Sequence, residues 1–174
     1  FIAPVNGVME FGDTNEDNVV EQVAQNVYVE QDEDTKAVTV WNFHNYFSGV
    51  VVDIPVNADK SFFIGADEQL VYVYSSREYY LWGFDGTYIT DITGTVNDTQ
   101  IMSDVALAYI YTSGGRYYGA TIPEAKFTIT ITDGSTFEYP QLEIGELVTP
   151  PAGLETKDYP FTATLYAPSA TDYS

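Results

Sequence analysis

The chain has 174 residues, no cysteine, one histidine and a formal net charge of −20. This length fits one domain, or one domain with an appendage, and 45% apolar residues indicate a globular protein. The absence of cysteine excludes thiol nucleophiles, disulfides and Cys-based metal sites, and the lone His44 excludes a multi-histidine metal cage. Because acidic surfaces repel phosphate, we expect no nucleic-acid partner.

No part of the sequence has the length and hydrophobicity of a transmembrane segment. The longest wholly apolar run covers residues 105–111, whereas a spanning helix needs about 20 residues. The first residue is Phe1, and no charged region followed by an apolar stretch comes after it, so we expect that any export signal has been removed or lies outside this sequence. Avoidance of cysteine is compatible with an exported bacterial protein.

The first element along the chain can be interpreted in two ways. Residues 15–25 could form a helix with Asn15 as its cap and with Val19, Val20 and Val23 on one face. The valines inside this segment also suit a strand, and β-rich sequence follows it. We favour a strand from Val20 onward.

Most of the following sequence alternates with period two, which is typical of β-strands. In residues 36–43, Val38 and Val40 fall on one side, and Thr39 and Trp41 fall on the other. Similar patterns predict strands at 50–56, 61–64, 70–74, 79–84, 88–96, 100–102, 105–111, 116–121, 126–132 and 136–139.

Turn sequences separate many of these predicted strands. They are Asp85-Gly86, Asn97-Asp98, Ser113-Gly114-Gly115 and Asp133-Gly134. Glycine supplies the positive φ that tight hairpins need, and Asn or Asp tolerates it. Strands do not alternate with long helices, which disfavours an α/β fold. The sequence therefore predicts an all-β protein, an antiparallel meander that forms a β-barrel or a two-sheet sandwich.

The composition changes near the C-terminal end of the chain. Residues 147–153 are rich in proline and cannot continue a central strand. We therefore predict an all-β module over residues 1–147, followed over residues 148–174 by a proline-rich connector and a partial strand of a following unit.

One acidic segment resembles the start of a calcium loop. Asp13, Asn15 and Asp17 present oxygen ligands at alternate positions. An EF-hand would continue with Gly at 18 and Glu at 24, but the chain has Asn18 and Ala24. We therefore predict no metal site and no cofactor, with these three residues as weak candidates. A calcium-stabilised structural spacer is one alternative function.

Catalytic motifs are missing from the sequence. A Ser-His-Asp triad would have to use His44, but there is no Gly-x-Ser-x-Gly segment, so we expect His44 at a surface or turn position. A glycoside hydrolase would need two carboxyl groups about 5–9 Å apart, which sequence alone cannot pair. We predict that the protein is not an enzyme and keep a glycoside hydrolase accessory or catalytic domain as another alternative.

Aromatic residues exceed expectation, at 16% of the chain. Tyr80, Trp82 and Phe84 share one face of a predicted strand. Such rings could pack within the sheet, or they could form an exposed surface for carbohydrate or protein. As candidate binding residues we choose Trp82, Tyr80 and Tyr118.

Several short motifs resemble the β-rich repeat modules of secreted and surface lipoproteins of gut Bacteroidetes. They are Val38-Thr-Val-Trp-Asn-Phe43, Tyr79-Tyr-Leu-Trp-Gly-Phe-Asp-Gly86, Ile92-Thr-Gly-Thr-Val96 with Ile101, Gly119 with Lys126-Phe-Thr-Ile129, and Pro150-Pro-Ala-Gly-Leu-Glu-Thr-Lys-Asp-Tyr159 with Phe161-Thr-Ala-Thr164. The resemblance implies a bacterial extracellular or outer-membrane location and further modules in the same polypeptide. It also implies adhesion, scaffolding or contact with a glycan or a host or cell-surface protein. It transfers no catalytic residue.

Overall fold

The computed structural model describes residues 4–14, 16–17, 19–44 and 46–141, and within them it contains β-strands and no helix. The strands pair in antiparallel sheets, which confirms the all-β prediction. They are β1 (Val5–Thr14), β2 (Val20–Gln31), β3 (Val38–Trp41), β4 (Val51–Ile54), β5 (Ser61–Ile64), β6 (Gln69–Tyr74), β7 (Arg77–Phe84), β8 (Ile89–Thr90), β9 (Ile92–Val96), β10 (Gln100–Ser103), β11 (Ala106–Ser113), β12 (Arg116–Ile122) and β13 (Phe127–Ile131).

Eight strands form a large sheet in the order β4-β3-β2-β1-β13-β10-β9-β5. This sheet curls into a nearly closed barrel. Its two edge strands are β4 and β5, and a β-bridge connects Val56, just after β4, with Phe62 in β5. Alternate residues of each strand point into the barrel, because successive side chains of a β-strand point to opposite faces of the sheet. The β-branched and aromatic residues recur at every second position and so fall on the inner face. The interior is apolar, with residues such as Phe11, Val40 and Phe127 almost fully buried.

The remaining strands form a small sheet in the order β12-β11-β7-β6, with the short β8 paired to β7. The side of this sheet that carries Leu81, Leu107 and Tyr109 belongs to the same buried core as the barrel interior. The side chain of Gln69 links the two sheets. Its Nε2 donates to the carbonyl oxygen of Asp53 at 3.2 Å, and its Oε1 accepts from the Asp53 amide at 3.3 Å.

The N-terminal part of the chain is a long hairpin of two strands. Residues Val20–Gln31 form a strand, as we favoured, and not a helix. Their partner Val5–Thr14 was not predicted, because Gly7 and Gly12 weaken its β-signal. Both glycines face crowded positions, since a Cβ at Gly12 would lie 2.5 Å from the carbonyl oxygen of Glu124. Strand β1 also pairs with β13 at the other end of the described chain.

The last described residues contradict one predicted strand. Residues 136–139 are not a strand, although Phe137 is buried. Two of their backbone amides donate hydrogen bonds to distant parts of the chain. The Phe137 amide donates to the Asp98 carbonyl oxygen at 2.8 Å, and the Glu138 amide donates to Gln31 Oε1 at 2.8 Å. A segment held in this way has no continuous neighbouring strand with which to pair.

The strand order refines the predicted meander. After β5 and after β10 the chain leaves the large sheet for the small one, so neighbours in sequence are often not neighbours in a sheet. The chain divides into two compact units, Phe1–Leu142 and Glu143–Ser174. The predicted connector and partial strand over residues 148–174 lie outside the described residues.

Candidate functional site

The small sheet turns one face away from the core, and we call it the outer face. Because Leu81 and Tyr109 point into the core, their neighbours Tyr80, Trp82 and Ile110 point outward. Directly opposed residues share a side, and Tyr80 pairs with Ile110. Tyr117 belongs to the same face, because it pairs with Thr112, two residues beyond Ile110 on β11.

The outer face holds a shallow depression of about 340 Å³. The edge of one aromatic ring meets the face of another there: the centroids of Trp82 and Tyr117 lie 5.3 Å apart at 67°. Ile110 is only 6% exposed and contributes to the apolar lining, whereas Tyr117 is 59% exposed. The lining residues are Asp67, Glu78, Tyr80, Trp82, Ile110, Thr112 and Tyr117. The site thus combines an aromatic surface with polar groups.

A glycine on β12 permits this arrangement of rings. Gly119 pairs with Ile110 and has φ +151°, which favours glycine. A Cβ at this position would lie 1.9 Å from the carbonyl oxygen of Tyr109. Any larger residue would therefore push β12 away from β11, and with it the ring of Tyr117.

Two carboxylates give the outer face its charge. Asp67 and Glu78 are both exposed and line the depression. The hydroxyl of Tyr80 donates to Glu78 Oε2 at 3.2 Å. This hydrogen bond, together with the negative charge of Glu78, raises the pKa of Tyr80. Near neutral pH the site therefore offers hydroxyl donors and carboxylate acceptors, and no cation lines it.

The structure brings together two of the three predicted binding residues. Trp82 and Tyr80 lie on the outer face, whereas Tyr118 lies on the opposite face and stacks on Tyr111 with a centroid distance of 5.5 Å. Sequence reasoning missed Tyr117 and Ile110. Period-two alternation shows that two consecutive tyrosines face opposite ways, but the register with β11 decides which one joins Trp82.

His44 lies in the connection between β3 and β4 but is buried, so of the two predicted positions, surface or turn, the surface position is wrong. It follows β3 in a turn conformation with φ +50°, and this directs its ring into the core. The ring is 3% exposed and packs against Phe11 at 4.3 Å and Tyr109 at 5.7 Å between centroids. Burial lowers the pKa of His44 to about 4, and the charge of Asp13 opposes this shift.

The surroundings of His44 do not form a catalytic triad. Its Nδ1 accepts a hydrogen bond from the Tyr46 amide at 3.3 Å. Within the described part of the chain, its Nε2 and the buried hydroxyl of Tyr109 have no hydrogen-bond partner. A general base would need to bond to a nucleophile through this nitrogen.

Several carboxyl groups have shifted pKa values, and the shifts have structural causes. Hydrogen bonds from nearby backbone amides and hydroxyls lower the pKa values of Asp32, Asp59 and Asp85, which cap turns. Lys36, whose Nζ lies 2.6 Å from Glu138 Oε2, lowers the pKa of Glu138. A glycosidase acid needs a raised pKa, which these four groups do not have.

Of the three weak metal candidates, Asp13 bonds to its neighbouring backbone. Oδ1 of Asp13 accepts a hydrogen bond from the Thr14 amide at 2.8 Å, and Asn15 lies outside the described residues. Across residues 4–14, 16–17, 19–44 and 46–141, no three His, Asp or Glu side chains form a group that could hold a metal ion. The same residues include no helix long and apolar enough to span a membrane.

Comparisons with other proteins give no assignment. No protein-family model, no characterised protein and no solved structure matches this chain significantly. The resemblance to Bacteroidetes surface modules therefore remains a prediction from sequence motifs.

Proposed function

We propose that this chain is a non-enzymatic binding module, exported to a bacterial cell surface, that contacts neutral glycans through the outer face of its small sheet. The observation that carries the proposal is the group formed by the half-buried Trp82 and Tyr80 and the exposed Tyr117 around the apolar floor at Ile110. Adhesion or scaffolding by several such modules in one polypeptide would use the same surface.

Stacking explains how this face would hold a sugar. One side of a pyranose ring presents C–H groups, which pack on the flat face of an indole or phenol ring. Polar groups at the edge of the rings then orient the sugar hydroxyls. Asp67, Glu78 and Thr112 supply such groups around the depression.

Charge points to the class of glycan. The chain carries a net charge of −20, and the depression itself is lined by two carboxylates and no cation. An acidic sugar would be repelled there, whereas the hydroxyls of a neutral sugar can donate hydrogen bonds to a carboxylate. The outer face therefore suits neutral oligosaccharides.

The proposal is tested by binding of the full chain to an array of neutral oligosaccharides, followed by calorimetry with the best one. We expect Trp82→Ala and Tyr117→Ala each to weaken binding by about tenfold, since a stacked ring pair contributes about 1 kcal/mol. Tyr28→Ala is the matched control, because Tyr28 is an exposed tyrosine on the large sheet. It should bind like the unmodified chain.

Two results would contradict the proposal. One is an array on which no neutral oligosaccharide binds. The other is unchanged affinity in the Trp82 and Tyr117 variants while their melting temperatures show that they fold. If millimolar calcium raises the melting temperature instead, the calcium-stabilised spacer becomes the better account.

A further inference from the structure

The opposite, core-facing side of the small sheet, its inner face, extends beyond the core as a row of four tyrosines. Tyr72 pairs with Tyr79, and Tyr111 pairs with Tyr118, so one tyrosine comes from each of the four strands. The Tyr79 and Tyr111 ring centroids lie 5.0 Å apart, and Tyr111 and Tyr118 are stacked. The exposed fraction of Tyr118 reaches 43%. This row is a packed aromatic platform that is partly open to solvent.

Two arginines follow in the next row, at the hairpin ends of the same face. Arg77 pairs with Tyr74 across the turn at residues 75–76, and Arg116 pairs with Ser113 across the turn at residues 114–115. Each arginine precedes a tyrosine of the row by two positions, so it lies on the same side of the sheet. One strand separates β7 from β12, which places the two arginine Cα atoms about 10 Å apart.

These are the only two arginines in a chain with 6 basic and 26 acidic residues. The guanidinium of Arg77 lies over the Tyr111 ring, 5.0 Å from its centroid. Among the described residues, ion pairs form at Lys36 and Lys60, and neither arginine has a carboxylate partner. This end of the sheet therefore carries two guanidinium groups that form no ion pair with the described residues, and the carboxylate of Glu78 lines the depression beside Arg77.

We propose that this end of the inner face binds an acidic saccharide, a sugar ring that carries a carboxylate. The sugar ring packs on the exposed Tyr118, and the carboxylate accepts paired hydrogen bonds from Arg77 or Arg116. Guanidinium forks match carboxylates in geometry, and such charge-assisted bonds are stronger than neutral ones. At physiological salt the acidic groups beyond about 8 Å are screened. The two guanidinium groups then outweigh the single nearby carboxylate of Glu78.

The shape of the surface favours a saccharide over an acidic protein segment. A protein partner usually needs a desolvated pocket for an apolar anchor. The depression at this end has a volume of about 210 Å³, and it is lined by Ser76, Arg77, Glu78, Tyr80, Tyr111, Thr112 and Ser113. Most of these residues are polar, and Tyr111 stacks on the exposed Tyr118. The two depressions share Glu78, Tyr80 and Thr112 at the end of the sheet. They differ in that Trp82 lines only the first and Arg77 only the second, so variants of these two residues distinguish the sites.

The test uses the full chain with tetragalacturonate, a uronic acid oligosaccharide, and with the uncharged galactotetraose as its matched probe. Calorimetry should show binding of tetragalacturonate that weakens as salt is raised. Arg77→Ala combined with Arg116→Ala should reduce the affinity at least tenfold. Lysine at both positions keeps the charge but loses the fork, so it should restore only part of the affinity. Lys126→Ala, which removes an exposed charge elsewhere, should change nothing.

Each remaining outcome overturns the inference. No binding of tetragalacturonate, or equal binding of both oligosaccharides, removes the acidic saccharide as ligand. Unchanged affinity in the double-alanine variant places any binding elsewhere. Tighter, arginine-dependent binding of a glutamate-rich peptide would assign the surface to a protein partner. The Trp82→Ala variant should retain tetragalacturonate binding, which separates this site from the neutral-glycan site.

Discussion

Side chains alternate between the two faces in both the large and the small sheet, but the two sheets differ in where they place their aromatic rings. In the large sheet one face lines a closed interior, and its buried rings are phenylalanines such as Phe11, Phe62 and Phe127. In the small sheet both faces carry rings, and these are mostly tyrosines that remain partly exposed. Tyr109, at the junction with the core, is a fully buried exception. The phenolic hydroxyl thus marks the rings that stay in contact with water.

The largest expected effect comes from removing a barrel ring. Phe127 is buried and contacts Phe43 with its ring edge at 5.1 Å between centroids. Phe127→Ala should lower the free energy of unfolding by about 3–5 kcal/mol, because it removes buried apolar surface and leaves a cavity. Tyr117→Ala in the small sheet should cost about 1 kcal/mol or less. Denaturant unfolding of both variants measures the contrast.

Similar losses of unfolding free energy in both variants would contradict this contrast, because the exposed Tyr117 ring would then stabilise the protein as much as the buried Phe127 ring does. Equal slopes of the unfolding free energy against denaturant are needed in this measurement. They show that the two variants unfold from equally compact states.

The second effect concerns the junction between the sheets and depends on pH. The pKa of His44 is about 4 in the folded protein and 6.5 in the unfolded chain. Between these values the unfolded state binds the proton and the folded state does not, so stability falls as pH decreases from 6.5 to 4. The loss from His44 should total about 3 kcal/mol. Denaturant unfolding at several pH values measures it.

The matched variant for this prediction is His44→Asn. Asparagine does not titrate and tolerates the positive φ of this position. Its stability should depend less steeply on pH across the same window, whatever its absolute value. Parallel pH profiles for the two proteins would show that other groups cause the acid sensitivity.

The smallest effect concerns the turn that carries Arg77. Ser75 and Ser76 have φ of +48° and +65°, values that strain most residues with a side chain but that Asn and Gly tolerate. Replacing them by Asn and Gly, as in Ser75→Asn/Ser76→Gly, should stabilise the protein by about 1 kcal/mol, because this pair suits a tight hairpin turn. The melting temperature should rise by a few degrees. An unchanged or lower value would mean that the hydroxyls stabilise the turn.

Much of the fold follows from local pattern. Alternation placed β5 at Ser61–Ile64, and it put Val38 and Val40 on one side of a strand, which is the buried side in the structure. The glycine turn at residues 114–115 is also where it was predicted, and both glycines have positive φ. These features depend on a few neighbouring residues, so sequence reasoning can find them.

The candidate site was predictable only in part. The side shared by Tyr80 and Trp82 follows from their spacing on one strand. Choosing between Tyr117 and Tyr118 requires the register of β12 against β11, because a slip of one residue exchanges the faces. The burial of His44 likewise depends on rings that come from distant parts of the chain.

By itself, the sequence determined that this protein is built from antiparallel strands with two-sided patterns and that its body is acidic and rich in tyrosine. Only the tertiary structure decided which rings are buried inside the barrel and which remain partly exposed on the two faces of the small sheet. The physical reason is that alternation is a local property of a strand. Burial, in contrast, depends on pairings such as that of β1 with β13, which join residues more than a hundred positions apart.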